Sequence, residues 1–137
     1  MDWNRRLSVF VFCVFSYSAA ASELVGRYVF YNHSAFDDYG TGPAPEDDRA
    51  IASDKEALLS GSTATFKNYT NYTLGINGIM IDIAGATTPL GFSDVLFLKG
   101  NTDDLQQWKT VTPPPLVSTR AGAGVQGSTR HVFIFPD

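Results

Sequence analysis

The stretch Gly78-Ile79-Met80-Ile81-Asp82-Ile83 decides the reading of the fold. Ile79, Ile81 and Ile83 recur at every second position, so an extended chain places all three on one face and leaves Met80 and Asp82 on the other. Gly85 follows and ends the run. Asp82 interrupts an otherwise apolar segment: it either meets solvent by simple alternation or lines a site.

Outward from this strand the same pattern repeats in short pieces. Leu24–Tyr31 is dense in β-branched and aromatic residues. Thr63–Lys67 alternates Ala64 and Phe66 against Thr65 and Lys67, and Asn68–Gly75 repeats Asn-Tyr-Thr as a strand or its shoulder. Downstream, Val95–Lys99, Gln106–Lys109, Val117–Arg120 and His131–Phe135 complete the set, with Pro113-Pro114-Pro115 as a rigid spacer. Asn32–Pro45 is loop by its Gly, Pro, Asp and Asn content. Glu46–Leu59 carries a weak helical signal: Pro45 precedes it and acidic residues fill its first turn. Six or seven short strands with so little helix predict an all-β fold, an antiparallel β-sandwich of jelly-roll-like form.

The N-terminus reads differently. Arg5 and Arg6 precede the apolar run Leu7–Tyr17, and Ser18-Ala19-Ala20-Ala21 supplies small residues, the order of a secretory signal peptide over residues 1–21. The alternative is a buried first strand, since Val9–Phe15 is rich in Val and Phe. A spanning helix needs about 20 apolar residues, more than this run provides. Residues 22–137 then form a single exported module, secreted or held at a cell surface.

Cleavage changes the chemistry available. The 137-residue chain has a formal charge of −4, and losing Arg5, Arg6 and Asp2 moves it to −5. That sign attracts neither nucleic acid nor anionic lipid. Cys13 is the only cysteine and departs with the leader, so disulfides, a thiol nucleophile and a Cys-based zinc site are excluded from the exported part.

Catalytic signatures are absent. His33 and His131 stand far apart with no metal-ligand spacing, no serine sits in Gly-x-Ser-x-Gly, and Ala121-Gly122-Ala123-Gly124 precedes a strand rather than a helix. The expectation is no enzyme. A small secreted hydrolase would have to rely on Asp82 and Asp94.

Two features point to binding. Asp37, Asp38, Asp47 and Asp48 lie in or beside a glycine-containing loop. Calcium takes hard oxygen ligands from flexible backbone, so a structural ion there is a candidate, although the spacing is not that of an EF-hand. Tyr69, Tyr72 and Trp108, with Asp82, are candidates for sugar recognition, in which a flat apolar ring carries polar groups at its edge. Sequons at Asn32, Asn68 and Asn71 would place those asparagines at the surface in a eukaryotic secretory pathway.

Specific words then emerge. Arg27-Tyr-Val-Phe-Tyr-Asn-His-Ser-Ala-Phe-Asp37, Asp54-Lys-Glu-Ala-Leu-Leu-Ser-Gly61, Ala64–Ile83 and Arg120-Ala-Gly-Ala-Gly124 resemble a module of unassigned function. That module is found near the C-termini of large secreted proteins of planctomycetes and related bacteria, often beside dockerin or surface-sorting segments. The resemblance runs from about Val25 to Phe135. It implies a non-catalytic accessory module, serving spacing or presentation or weak polysaccharide binding, whose partners are polysaccharide or neighbouring domains. A purely structural, calcium-stabilised domain of an adhesion protein is the alternative. The resemblance also implies a further strand pair after Phe135, so the chain is expected to be a truncated form of the module.

Overall fold

In a computed structural model the described residues are 9–14, 22–86 and 88–136, the first group as backbone only. Among these residues seven strands are present: β1 Val9–Val14, β2 Glu23–Phe30, β3 Gly78–Ala84, β4 Val95–Gly100, β5 Lys109–Thr110, β6 Leu116–Arg120 and β7 Thr129–Ile134. They form two separate antiparallel sheets, ordered β2-β3-β7-β6 and β1-β4-β5.

The alternation of the opening stretch is what builds the core. Strand β3 lies between β2 and β7, with Ile81 opposite both Arg27 and His131, and Met80 opposite both Tyr28 and Val132. One face carries Ile81, Ile83 and Phe133 into a cluster with Val95 and Phe97 of the second sheet and with Val111, which follows β5. Phe97 meets Phe133 and Phe135 edge-on at 5.0 Å each. The other face carries Met80, Val132 and Ile134 against Phe30 and Ala50. A central strand packed on both sides is why Met80 and Asp82 are as buried as the isoleucines.

Gly78 opens β3 because no larger residue fits there. A Cβ at this position would stand 2.5 Å from the ring of Phe30, which is fully buried.

The expectation of an all-β, jelly-roll-like sandwich is overturned. The sheets are separate and unclosed, with β2 and β6 at the edges of the larger one, and helical segments are built into the connections. The fold is mixed. A jelly roll would need about eight strands in two interleaved Greek keys. Several segments read as strands satisfy their backbone locally instead. Thr65 and Asn68 cap each other to make the 3₁₀ turn Phe66–Asn68, in the region read as the strands Thr63–Lys67 and Asn68–Gly75. Asp104 accepts from the Gln106 N–H and starts the turn Leu105–Gln107, which leaves only the two-residue β5 of the strand expected at Gln106–Lys109. Side-chain acceptors of this kind compete with ladder pairing.

The helix expected over Glu46–Leu59 is a 3₁₀ segment, Pro45–Ala50. It stops because β2 captures the next residues: Tyr31 N–H donates to Ala50 O, Ala52 N–H donates to Val29 O, and Phe30 bridges Ile51.

Of the segment read as a leader, Val9–Val14 pairs with β4 from Val9↔Gly100 to Val14↔Val95. Its remaining residues lie outside those described, as do Thr87 and Asp137.

Candidate functional site

Asp82, nominated for sugar contact, is the buried end of an ionic chain. Its carboxylate is wholly inaccessible and accepts two hydrogen bonds from Arg130, Nε at 2.8 Å and Nη2 at 2.7 Å, and a third from the Val125 N–H at 3.0 Å. The strand register dictates this meeting, since Asp82 and Arg130 are directly opposite on β3 and β7. Arg130 continues to Asp48 at 3.0 Å, and Asp48 pairs in turn with both terminal nitrogens of Arg120. Four charges of alternating sign thus join β3, β7, β6 and the 3₁₀ segment Pro45–Ala50. The Tyr28 ring covers Arg130 at 5.3 Å.

The electrostatics follow from that order. Hydrogen bonding to Asp82 raises the Arg130 pKa further, against the opposing effect of burial. Burial by itself would raise the Asp48 carboxyl, but hydrogen bonds from Arg120 and Arg130 outweigh it and hold the group below its ordinary range. Asp82 is therefore committed to Arg130 and closed to any ligand.

The other acids nominated for calcium are engaged from within the chain. Asp37 is buried and accepts the backbone N–H groups of His33 and Ser34 at 2.7 and 2.8 Å. Asp38 is exposed and paired with Arg49. Asp47 is fully buried and accepts from the Ala44 N–H at 2.9 Å; desolvation raises its pKa, with that hydrogen bond opposing. Among the described residues no group of three or more His, Cys, Asp or Glu side chains is gathered to hold a metal ion. Asp94 is exposed and caps the Gly91 N–H at 2.7 Å.

His131 is buried without a charge partner. Its Nδ1 accepts the Leu90 N–H at 3.4 Å and lies 3.0 Å from Thr119 Oγ1, while Nε2 has no partner among the described residues. Burial lowers its pKa, opposed by the charge of Asp82. With the folded value below the unfolded one, near 6.5, the unfolded chain takes up the proton first. Stability is full above about pH 6.5 and falls below it, by at most about 1.4 kcal/mol per pH unit until the folded value is reached. Asp48 adds loss only at lower pH, in the carboxylate range, where Asp47 acts with the opposite sign. Thermal midpoints between about pH 7.5 and 5 check this. His131→Leu is expected to flatten the slope, and equal slopes in the two proteins would refute the assignment.

The nominated rings have separate supports. Trp108 lies over Gly100 and donates from Nε1 to Thr102 O at 2.8 Å. Tyr72 stacks on Tyr31 at 4.7 Å, and its hydroxyl donates to the carbonyls of Asn32 and His33. Tyr69 is 39% exposed and lies 5.4 Å from Phe66, which is 80% exposed. The 3₁₀ turn brings these two together, because three residues per turn align positions i and i+3. Around them stand the Lys67–Glu56 ion pair at 2.7 Å and Asn68, whose Nδ2 donates to Glu56 O.

Phe66 is the residue that sequence reasoning missed. The signal that could have found it is Thr65-Phe66-Lys67-Asn68, a cap spacing around an aromatic residue.

A cavity of about 370 Å³ opens between the Asn32–Thr41 loop and Pro113–Leu116, floored by Ile134 and Phe135. Among the described residues no carboxylate lines it. Asn32, the first sequon asparagine, is 4% exposed and bonded through its backbone to Asn77, contrary to the surface position expected of it. Asn68 is half-buried and Asn71 exposed. Among the described residues no helix is long and apolar enough to cross a membrane.

No family model, no curated protein and no solved structure matches the chain.

Proposed function

We propose that the chain is a non-catalytic extracellular accessory module that binds polysaccharide weakly through Phe66 and Tyr69. The observation that carries this reading is the exposed ring pair at 5.4 Å, bordered by Glu56, Lys67 and Asn68. Exposed apolar rings standing together cost solubility, whereas most aromatic rings of this fold are at least partly covered. A pyranose ring offers the matching chemistry: an apolar C–H face to lie on the rings and hydroxyls to reach the amide and charged groups at the edge.

Export follows from the reading of residues 1–21, and the resemblance to modules of large secreted bacterial proteins supports the accessory role. Spacing or presentation is compatible with the same site, because the ring pair stands on a connection, away from the ladders of the larger sheet.

Affinity electrophoresis and calorimetric titration against a panel of plant and algal polysaccharides test the proposal. Replacing either Phe66 or Tyr69 by Ala is expected to weaken binding by about 1 kcal/mol, roughly fivefold, with the thermal midpoint unchanged. No measurable binding of the native protein across the panel would sink it.

A further inference from the structure

We propose that, once the leader has been removed, the exposed edge of β4 pairs with β4 of a second copy, making the exported protein a two-fold dimer. This rests on the reading of residues 1–21 as a cleaved leader, which comes before the proposed sugar binding and is independent of it.

The first observation is the seat itself. Val9–Val14 occupies the β4 edge in an unbroken antiparallel register, so that edge accepts an apolar strand along its whole length. Cleavage before Ser22 takes the strand away and leaves β4 paired with β5 alone.

The second is which groups would be exposed. The Val111 N–H donates to Phe97 O at 2.9 Å, so residue 97 directs its backbone groups toward β5. Alternation then turns the N–H and C=O of Leu96 and Leu98 toward the vacated side. Leu96 is already 42% exposed with β1 in place. An uncovered edge with this sequence, Val-Leu-Phe-Leu, is a template for further pairing.

The third is self-complementarity. A two-fold axis perpendicular to the sheet requires a residue to lie opposite its own copy, and we place it at Phe97, beside the midpoint of β4. The register then places Leu96 opposite Leu98 of the second copy, and Val95 opposite Lys99. In the uncleaved chain Phe12 is the residue opposite Phe97, so a second Phe97 restores an aromatic residue at the same place. In the backbone register, Leu96 and Leu98 of the second copy take the positions held by Val11 and Cys13 in the uncleaved chain. The occupant with matching chemistry is the strand itself, and an isologous contact closes after two copies.

The experiment is secretion of the full reading frame, intact-mass analysis of the N-terminus, and sedimentation equilibrium of the exported protein at micromolar concentration. A cleaved chain with twice the monomer mass is expected. The double variant Leu96→Lys/Leu98→Lys, which places ammonium groups along the shared row, is expected to sediment as a monomer with a circular dichroism spectrum like the parent's. Polysaccharide binding at Phe66 and Tyr69 is expected to survive in that monomer. A cleaved native protein that is monomeric overturns the inference, and a dimer that survives both lysines overturns β4 as its interface. An uncleaved N-terminus overturns the leader reading and the inference with it.

Discussion

Arg130→Met is expected to destabilise the fold by about 3–5 kcal/mol, the cost of leaving a buried carboxylate without its cation. Asp82 has no access to water, and two of its three hydrogen bonds come from Arg130. Methionine fills much of the volume but supplies no donor. The reciprocal change, Asp82→Leu, is expected to cost less, because Arg130 keeps Asp48 as a partner. Replacing both residues with apolar side chains is expected to recover part of the loss, since the desolvation of both ions is then avoided. Denaturant unfolding of the two single variants and the double variant measures the coupling. Additive losses would show that the pair is not a unit.

Phe133→Ala is expected to cost a comparable 3–5 kcal/mol, by a different route. Phe133 is wholly buried in β7 and lies edge-on to Phe97 of the second sheet. Truncation removes the ring that spans the two sheets and leaves a void that neighbouring side chains fill only in part. Phe133→Leu, which keeps most of the volume, is expected to lose well under half as much. Urea unfolding followed by tryptophan fluorescence and by far-ultraviolet circular dichroism checks both. With Trp3 replaced by Phe, Trp108 reports on the second sheet, so a fluorescence transition that separates from the dichroism transition in Phe133→Ala would show that the contact couples the sheets. A loss below about 1 kcal/mol would contradict its place in the core.

How much of this was legible depended on whether the determining partner lay nearby in the chain. The alternation at Gly78–Ile83 predicted both faces of β3, and Leu24–Tyr31, Val95–Lys99, Val117–Arg120 and His131–Phe135 all fall within one or two residues of real strands. Their order in the sheets was not legible, and the closed architecture expected from them was wrong. At Thr65 the error was local: alternation around Phe66 looked like a strand, while the Thr65–Asn68 cap spacing in the same residues described a turn. At Glu46–Leu59 the first turn was legible, but its termination was not, because the residues that stop it belong to β2.

The site divided the same way. Tyr69 was nominated on residue type, and its neighbour in the ring pair follows from the turn once the turn is known. Asp82 was noticed as an anomaly in an apolar run. Its cation is 48 residues away, and only the β3–β7 register brings the two together. Polar residue types in a loop suggested calcium at Asp37, Asp38, Asp47 and Asp48. The backbone donors and arginines that now engage these carboxylates come from the loop's own folding and from distant strands.

The order β2-β3-β7-β6 also determines how the larger sheet bears load. Strands β2 and β7 both run antiparallel to β3, with Glu23 beside Ala84 and Ile134 beside Gly78. The chain therefore enters and leaves these three strands at opposite ends, about 20 Å apart for a ladder of this length. Tension applied between Glu23 and Ile134 runs along the strands and strains their cross-strand hydrogen bonds together, in shear, rather than peeling them one at a time. The buried Asp82–Arg130 pair lies within that ladder and bridges two of the loaded strands. Force along this line loads the ladder hydrogen bonds in parallel, and the sheet is oriented to resist it.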